Sequence, residues 1–522
     1  IYESHKYLYR VGIEPTSPST RNKHSKMKSI SRVGLRRTMC TKDYATTSKT
    51  LTMENLNPNI IKLEYAVRGP LFLRLVEIEK ELKDGIPKPF KNVIKANVGD
   101  CHAMGQQPIT FIREVLACVS YPKFIKDGHF EKDVRERAEE ILSVCEGNCI
   151  GSYSPDIGFE KIRNSVADYI TKRDGFKADV DRICLTPGAS IGIKNCLQLL
   201  VNNIDGKKTG VMVPIPQYPL YSATLAEYGL NEIGYYLDES KNWGLTMEEL
   251  ERSFDIGSED SKIRSLVVIN PGNPTGQVLS KENIENIIKF AYNKSLIIFA
   301  DEVYQYNIYQ GEFHSFKKVL MELGPPYDSV ELISFMSSSK GFMGECGIRG
   351  GWMELTNMDR GVQKQLYKFI SARLCPTTLG QTVVDCVVRP PMEGDPSYEL
   401  YVKQKNEVLH SLKYRAQLVE DMFNKMEGFS CNAIQGAMYA FPQINLPPKA
   451  IEAARQSGKA PDVFYAFRLL EETGICVVPG TGFGQQPGTH HFRTTLLPQT
   501  EQLKQMLVVF QKFHEKFTKE YC

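Results

Sequence analysis

The chain has 522 residues, 42% hydrophobic and 24% charged, the composition of a folded protein of more than one domain rather than a disordered or fibrous one. Its formal charge of +3 is unevenly spread, because residues 1–52 carry eleven Lys or Arg against three Asp or Glu and leave 53 basic against 58 acidic residues in the rest. A mildly acidic body with no interleaved basic and aromatic patch argues against a nucleic-acid partner, and no apolar run nears the roughly 18–20 residues of a membrane helix.

The amino end is irregular. Residues 1–26 show no periodicity. From Met27 the stretch MKSISRVGLRRTMCTKDYATTSKT holds six basic residues, one acid and many Ser and Thr. That composition matches a mitochondrial transit segment, with a disordered basic tail as the plainer alternative. Residues 1–55 are therefore expected to be a leader, and the mature protein to lie in the mitochondrial matrix. Translation from Met53 would leave it cytoplasmic. Thirteen cysteines, an odd number over a long chain, are no disulfide framework and suit a reducing compartment. Cys145 and Cys149 in CEGNC lack a second ligand pair, so no metal is expected there.

Folded sequence starts near Leu56. RGPLFLRLVEIEKELKDG has helical spacing and stops at Gly85. NVIKANVGD reads as a short strand entering a turn. FEKIRNSVADYITKRDG is a helix. Strands and helices then alternate: ICLT and a helix through IGIKNCLQLLV, GVMVPI and a helix near TLAEYG, NEIGYYL and TMEELERSF. IRSLVVIN with SKENIENIIKFAYNK follows, then the strands SLIIFADEV, VELISFM and RGGWMEL. Continuous apolar strands between amphipathic helices predict an α/β fold, with a mostly parallel sheet covered by helices on both faces. This large domain spans 120–375. After Pro390 the pattern changes to one long helix, Tyr398 to Met426, and shorter elements. Residues 376–522 are read as a linking helix and a smaller α/β domain, completed by an arm at 56–119.

Ligands in such sheets sit at the carboxyl ends of the strands. After ICLT come Pro187, Gly188, Ala189 and Ser190 at a helix start, where exposed amides and a hydroxyl suit a phosphate. A lone N-cap serine is the plainer reading of Ser190. After GVMVPI comes Tyr218, an aromatic ring that could stack on a flat ligand or pack on the sheet. After IRSLVVIN, PGNPTG (271–276) forces a rigid turn that fixes the Asn273 amide. Asp301 closes a buried apolar strand, which is costly unless something pairs with it. A protonated ring nitrogen would do so, and Tyr304 lies three residues on; a helix cap is the alternative.

The loop SFMSSSKGFMGECGIRGGW (334–352) sets Lys340 among Ser337, Ser339 and Arg349, the hydroxyls and guanidinium fork of a phosphate site. Cationic neighbours and desolvation should disfavour the lysine's charge and free its amine to form an imine. One molecule answers all of these groups, having a flat ring, a pyridinium nitrogen, a phenolic oxygen, a phosphate and an aldehyde: pyridoxal 5′-phosphate. GTGFGQQPG (480–488) looks like a dinucleotide loop but has no helix after it and no acid some 20 residues on. It is read as a mobile loop near the substrate or as a simple connector.

The turn at 271–276, ADEVY (300–304) and SSSK (337–340), with arginine nine residues later, resemble the class I/II aminotransferases of the aspartate aminotransferase fold. YAVRGPL, NVGDCHAMGQQPITFIREVL, GSYSPDIGFEKIR, VPIPQYPLYSA, SSSKGFMGECGIRGGWMEL and HHFRTTLLP resemble the branch that acts on alanine. The resemblance covers about 56–522. It implies a pyridoxal-phosphate transferase fold, Lys340 as the Schiff-base lysine and proton-moving amine, Asp301 on the ring nitrogen, and Tyr304 and Asn273 on the ring oxygen. It further implies Tyr218 stacked on the ring and Ala189, Ser190, Ser337, Ser339 and Arg349 on the phosphate. Tyr153 resembles a tyrosine that reaches the phosphate of a neighbouring subunit, which implies a homodimer. Arg493, with Gly99, would bind the substrate. The implied reaction is ping-pong conversion of L-alanine and 2-oxoglutarate to pyruvate and L-glutamate. Another amino acid, a lyase outcome or a non-catalytic module of the same fold stay open as alternatives. The lysine-to-arginine spacing is one residue longer than in aspartate aminotransferases, as expected for the alanine branch. Pro187 and Ile191 depart from the small or polar residues expected there.

Overall fold

The computed structural model describes residues 49–522. The irregular amino stretch and most of the expected transit segment, up to residue 48, lie outside them. By its contacts the chain forms two units, Ile1–Asn55 and Leu56–Cys522. Of the first, 49–55 include a turn in which Thr52 N–H donates to Asn55 Oδ1 at 2.9 Å. No helix among the described residues is long and apolar enough to cross a membrane.

In the second unit the apolar runs pair into one sheet. Its strands are β1 (Ile183–Thr186), β2 (Asn203–Ile204), β3 (Lys207–Ile215), β4 (Asn231–Tyr236), β5 (Ser261–Ile269), β6 (Ile297–Asp301), β7 (Leu332–Ser337) and β8 (Gly351–Thr356). The order is β1-β8-β7-β6-β5-β3, with β3 flanked on its far side by both β2 and β4. The five strands from β4 through β3, β5 and β6 to β7 run parallel. β8 turns back antiparallel between β7 and β1. No crossover helix separates β7 from β8, so the chain can only reverse.

Helices cover both faces, which is why the central strands are apolar throughout. On one face, Ile284, Ile287, Ile288 and Ala291 of the helix Lys281–Lys294 are buried at helical spacing. That helix is capped by Ser280, whose Oγ accepts from Asn283 N–H. On the other, Ile193, Cys196 and Leu197 of the helix Ala189–Gln198 are buried against Phe335 and Met353. The helix Glu160–Asp174 packs on the first face, beside β1 and β8, where it buries Ile162, Val166 and Ile170 and stops at Gly175, whose φ of 78° fits a left-handed cap. Truncating one of these isoleucines to alanine would cost about 2–5 kcal/mol.

The expected strand in NVIKANVGD is a single bridge from Ile94 to Ile475, because the turn that follows leaves no room for a ladder. The long helix runs Tyr398–Lys425. Beyond it lie β9 (Phe429–Ser430), β10 (Tyr439–Ala440), β11 (Gln443–Ile444), β12 (Val478–Pro479) and β13 (Phe492–Thr495). β13 pairs with β10 and β12.

Candidate active site

Register brings the strand ends together. Ile269 of β5, Asp301 of β6 and Phe335 of β7 stand side by side on one rung. The 271–276 turn, Asp301 and the Lys340 loop therefore leave the sheet as neighbours. Likewise Thr186 and Ser337 both pair with Gly351, so the helix start at Ala189, Ser337 and Arg349 meet at the end of β8.

One cavity of about 420 Å³ opens there, within the range of small-molecule sites. Twelve of the thirteen residues singled out in the sequence line it: Gly99, Ala189, Ser190, Tyr218, Asn273, Asp301, Tyr304, Ser337, Ser339, Lys340, Arg349 and Arg493. Tyr153 does not, and is 74% exposed.

Arg349 defines one end. It has a φ of 63°, a left-handed conformation uncommon for a residue with a side chain. Its Nη1 donates to Ser339 Oγ at 3.2 Å and its Nη2 to Ser190 Oγ at 3.4 Å. Gly188 (φ 82°) caps the helix Ala189–Gln198, so Ser190 lies inside the first turn and is not its N-cap. A Cβ on Gly188 would stand 2.4 Å from Arg349 Nη2, so a glycine is needed for the guanidinium to reach the helix start. Two serine hydroxyls, a guanidinium and a helix N-terminus fit a phosphate.

Asp301 lies at depth. Its Oδ2 accepts from Tyr221 Oη at 3.1 Å, while its buried Oδ1 has no hydrogen-bond partner among the described residues. Burial pushes its carboxyl up to about 6, against the pull of the Tyr221 hydrogen bond. No helix starts at Asp301, which ends β6 itself. A buried carboxylate with one bare oxygen fits a protonated ring nitrogen. The residues present therefore fit pyridoxal 5′-phosphate at both its phosphate and its ring nitrogen.

Lys340 Nζ donates to Gly99 O at 2.7 Å and to Tyr439 Oη at 3.5 Å. Here the structure corrects the sequence reading, in which the lysine's charge was disfavoured. Burial does push its ammonium down, but the Tyr439 phenol and the thiols of Cys346 and Cys101 hold it above the ordinary lysine range. Arg493 is almost fully buried. Its guanidinium lies 4.1 Å from the Tyr439 ring centroid and 4.8 Å from that of Phe483. It donates to Asn273 Oδ1 at 3.0 Å and to Asn97 O at 2.8 Å, and its Nε has no hydrogen-bond partner among the described residues. Asn273 Nδ2 donates to Tyr304 Oη at 3.5 Å. Phe483 belongs to the short turn Gly480–Phe483, which β13 and no helix follows. The glycine-rich stretch is thus part of the floor under Arg493.

Sequence reading missed Tyr221, Tyr439, Asn97, Tyr65 and Arg68. Tyr221 sits three residues after Tyr218, one helical turn on, and that spacing was a usable signal. Tyr65 Oη lies 3.0 Å from Tyr218 Oη. Arg68 lines the cavity, and its guanidinium, 5.2 Å from the Phe72 ring centroid, has no hydrogen bond or ion pair among the described residues.

The family model described as aminotransferase class I and II matches residues 127–510. Alanine aminotransferase 2 of Xenopus tropicalis is 53% identical over 483 residues, 92% of each chain. Alanine aminotransferase 1 of Homo sapiens is 52% identical over 478 residues, 91% of this chain and 96% of that one. Among solved structures, an alanine aminotransferase from Pyrococcus furiosus superimposes with a TM-score of 0.70 at 24% identity, covering 88% of this chain and 99% of its own, which supports the fold. An aspartate aminotransferase from Thermus thermophilus gives 0.65 at 18%, with coverage of 88% and 100%.

Proposed function

The chain belongs to the class I and II aminotransferases, and we propose that it moves the amino group of L-alanine to 2-oxoglutarate, with pyridoxal 5′-phosphate as cofactor, giving pyruvate and L-glutamate. One observation carries the reading: a single cavity presents Lys340, the half-bonded Asp301 and the guanidinium groups of Arg349 and Arg493. Identity of 52–53% to alanine aminotransferases over nine-tenths of the chain favours alanine as donor.

When bound, pyridoxal 5′-phosphate supplies an aldehyde that captures the amino group and a ring that takes up the electron pair released at Cα. The Ala189 and Ser190 turn, Ser337, Ser339 and Arg349 would hold its phosphate. Tyr218 would stack on the ring, and Asn273 and Tyr304 would hold its oxygen. Asp301 keeps a proton on the ring nitrogen, because its buried carboxylate is favoured only beside a cation. Lys340 removes the Cα proton and returns it one atom away, so its amine must be neutral as that step begins. Arg493 grips the α-carboxylate with two parallel hydrogen bonds, which fixes Cα before Lys340. In the second half-reaction the same groups receive 2-oxoglutarate, and Arg68 is free to meet its second carboxylate.

Pyruvate formation from alanine and 2-oxoglutarate by the purified, cofactor-loaded protein tests the reading. Lys340→Ala should lower it by about 10²-fold or more; equal turnover by the variant, or none by the parent, refutes it. Two further readings go with it. The exposure of Tyr153 supports a homodimer in which this ring completes the site of a second copy. Co-refolded mixtures of Tyr153→Phe and Lys340→Ala chains should then regain activity that neither has alone, and failure to do so would refute the shared site. The basic, Ser/Thr-rich leader supports the mitochondrial matrix; a reporter carrying residues 1–52 that stays cytoplasmic would refute it.

A further inference from the structure

Two groups converge at Lys340 Nζ, which lines the cavity: the Gly99 carbonyl at 2.7 Å and the Tyr439 hydroxyl at 3.5 Å. The meeting depends on a bare glycine. A Cβ on Gly99 would stand 2.0 Å from Tyr439 Oη and 2.8 Å from Lys340 Nζ. The Tyr439 ring is buried and held in place. Arg493 covers it at 4.1 Å, and the Tyr304 ring meets it edge-on at 6.1 Å. Its hydroxyl therefore has little freedom to turn away from the amine.

We propose that Tyr439 is a catalytic residue of the proton transfer, its hydroxyl oxygen being the hydrogen-bond partner that steadies Lys340 while the lysine takes the Cα proton and gives it back. The inference rests on the reading of Lys340 as the proton-moving amine. In the step, the Cα–H bond breaks and an N–H bond forms on Lys340. The cofactor, when bound, would take up the electron pair. The new ammonium would donate to Tyr439 Oη and to Gly99 O, and Lys340 would give up these bonds as it returns the proton.

The need for such a partner follows from charge. Burial disfavours an ammonium at Lys340, and the groups around its Nζ must offset that cost. Gly99 O is one neutral acceptor. A phenol oxygen is a second and can itself carry negative charge. Burial pushes the Tyr439 phenol up, but Lys340 and Arg493, with a hydrogen bond from Tyr304, more than reverse this and hold it below the ordinary tyrosine range. The thiols of Cys101 and Cys346 also face Lys340, but neither lies on Tyr439.

Tyr439→Phe removes the hydroxyl and keeps the ring under Arg493. In the loaded enzyme kcat should fall by about 10²-fold. KM for alanine should stay within about twofold, since the carboxylate grip is kept, and the isotope effect of Cα-deuterated alanine should rise. In cofactor-free protein, a near-ultraviolet titration should show one tyrosinate forming below the ordinary value of about 10. That signal should vanish in Tyr439→Phe and move up in Lys340→Ala. Unchanged kcat in Tyr439→Phe overturns the proposal, as does a tyrosinate titration identical to the parent. A rise in KM that accounts for the whole loss overturns it too, because the ring would then serve only to pack Arg493. Lys340→Ala, assayed beside it, separates the two readings: a Lys340→Ala enzyme that still turns over sinks the proposed function, whereas an inactive one beside a fully active Tyr439→Phe sinks only the role of Tyr439.

Discussion

At the scale of single residues, stability and function pull in opposite directions at Asp301. Burial raises its carboxyl to about 6, against about 3.9 for an unfolded aspartate. A raised acid contributes stability that is full below the unfolded value and is lost as the pH rises through the folded one. Above pH 6 the cofactor-free protein therefore holds a buried charge whose one side-chain donor is Tyr221. Asp301→Asn should make cofactor-free protein more stable at pH 7–8, by on the order of 2–3 kcal/mol, and no more stable near pH 4. The same variant should lose nearly all transamination. Parallel melting curves at both pH values check this, and equal stability at pH 7–8 would remove the strain argument. Arg68 is the opposite kind of residue, an exposed cation at the rim. Arg68→Ala should raise KM for 2-oxoglutarate by about 5- to 20-fold and leave that for alanine unchanged, because only one of the two substrates has a second carboxylate. Steady-state kinetics with each substrate varied in turn distinguishes this from a general loss. Of the two arginines near the substrate, Arg493 was reached only through resemblance, since nothing in the run around it marks a buried cation. Arg68 was quoted within YAVRGPL and still passed over. Its role depends on where a short arm folds back, which local periodicity does not encode.

At the scale of elements, the loop between β7 and β8 must carry Lys340 and Arg349 at once, and it is braced from outside. Glu345, almost fully buried, accepts from Arg113 Nε at 2.7 Å and Nη2 at 2.8 Å. Its backbone N–H donates to Ser338 O. His102 Nε2 stands 3.5 Å away, three residues after Gly99, whose carbonyl receives the lysine. Glu345 thus ties the Gly99 segment to the Lys340 loop. The Glu345 carboxylate beside it raises His102, against the effect of burial. A raised histidine stabilises fully below its ordinary value of about 6.5, and the increment is lost as pH rises through its folded value. Parent protein should therefore lose more melting temperature than His102→Gln as pH is raised from 6 through 8; identical slopes would mean that the ion pair contributes nothing. The alternation of strands and helices was legible because each strand is apolar and each helix amphipathic. The turns at 271–276 and at Lys340 were legible because their prolines, glycines and serines are locally specific. The reversal of β8 is not marked in the strand itself, since the pattern of RGGWMEL is the same whichever way it runs, but the missing helix between β7 and β8 was a usable signal. The brace was hidden as well, because Arg113, His102 and Glu345 meet only once the loop is folded.

At the scale of the whole molecule, the cofactor end and the substrate end of the cavity have different owners. The phosphate cradle comes from β1, β7, β8 and the helix start at Ala189, all on the large sheet. The substrate end depends on β10 and β13, which belong to a separate three-stranded sheet, and on bonds that join it to the large-sheet side. Arg493 donates to Asn273 Oδ1, Gln217 N–H donates to Phe483 O at 2.8 Å, and Gly436 N–H donates to Gly276 O at 2.8 Å. A further tie is made by His491, two residues before Arg493 on the same chain. Its Nε2 lies 3.0 Å from Glu239 Oε2, its Nδ1 lies 3.1 Å from Gln485 Oε1, and its ring stacks on Phe441 at 4.8 Å. Glu239 is reached through β4, on the sheet side, so this contact sets where β13 lies over the cavity. Glu239→Gln keeps the shape and removes the charge. It should raise KM for alanine and 2-oxoglutarate alike, by about 3- to 10-fold, because Arg493 serves both. Affinity for pyridoxal 5′-phosphate should not change, because no phosphate contact comes from β13. Absorbance titration with the cofactor and kinetics with both substrates read the two effects separately. Equal weakening of cofactor and substrates would mean that the two ends of the cavity are not independent.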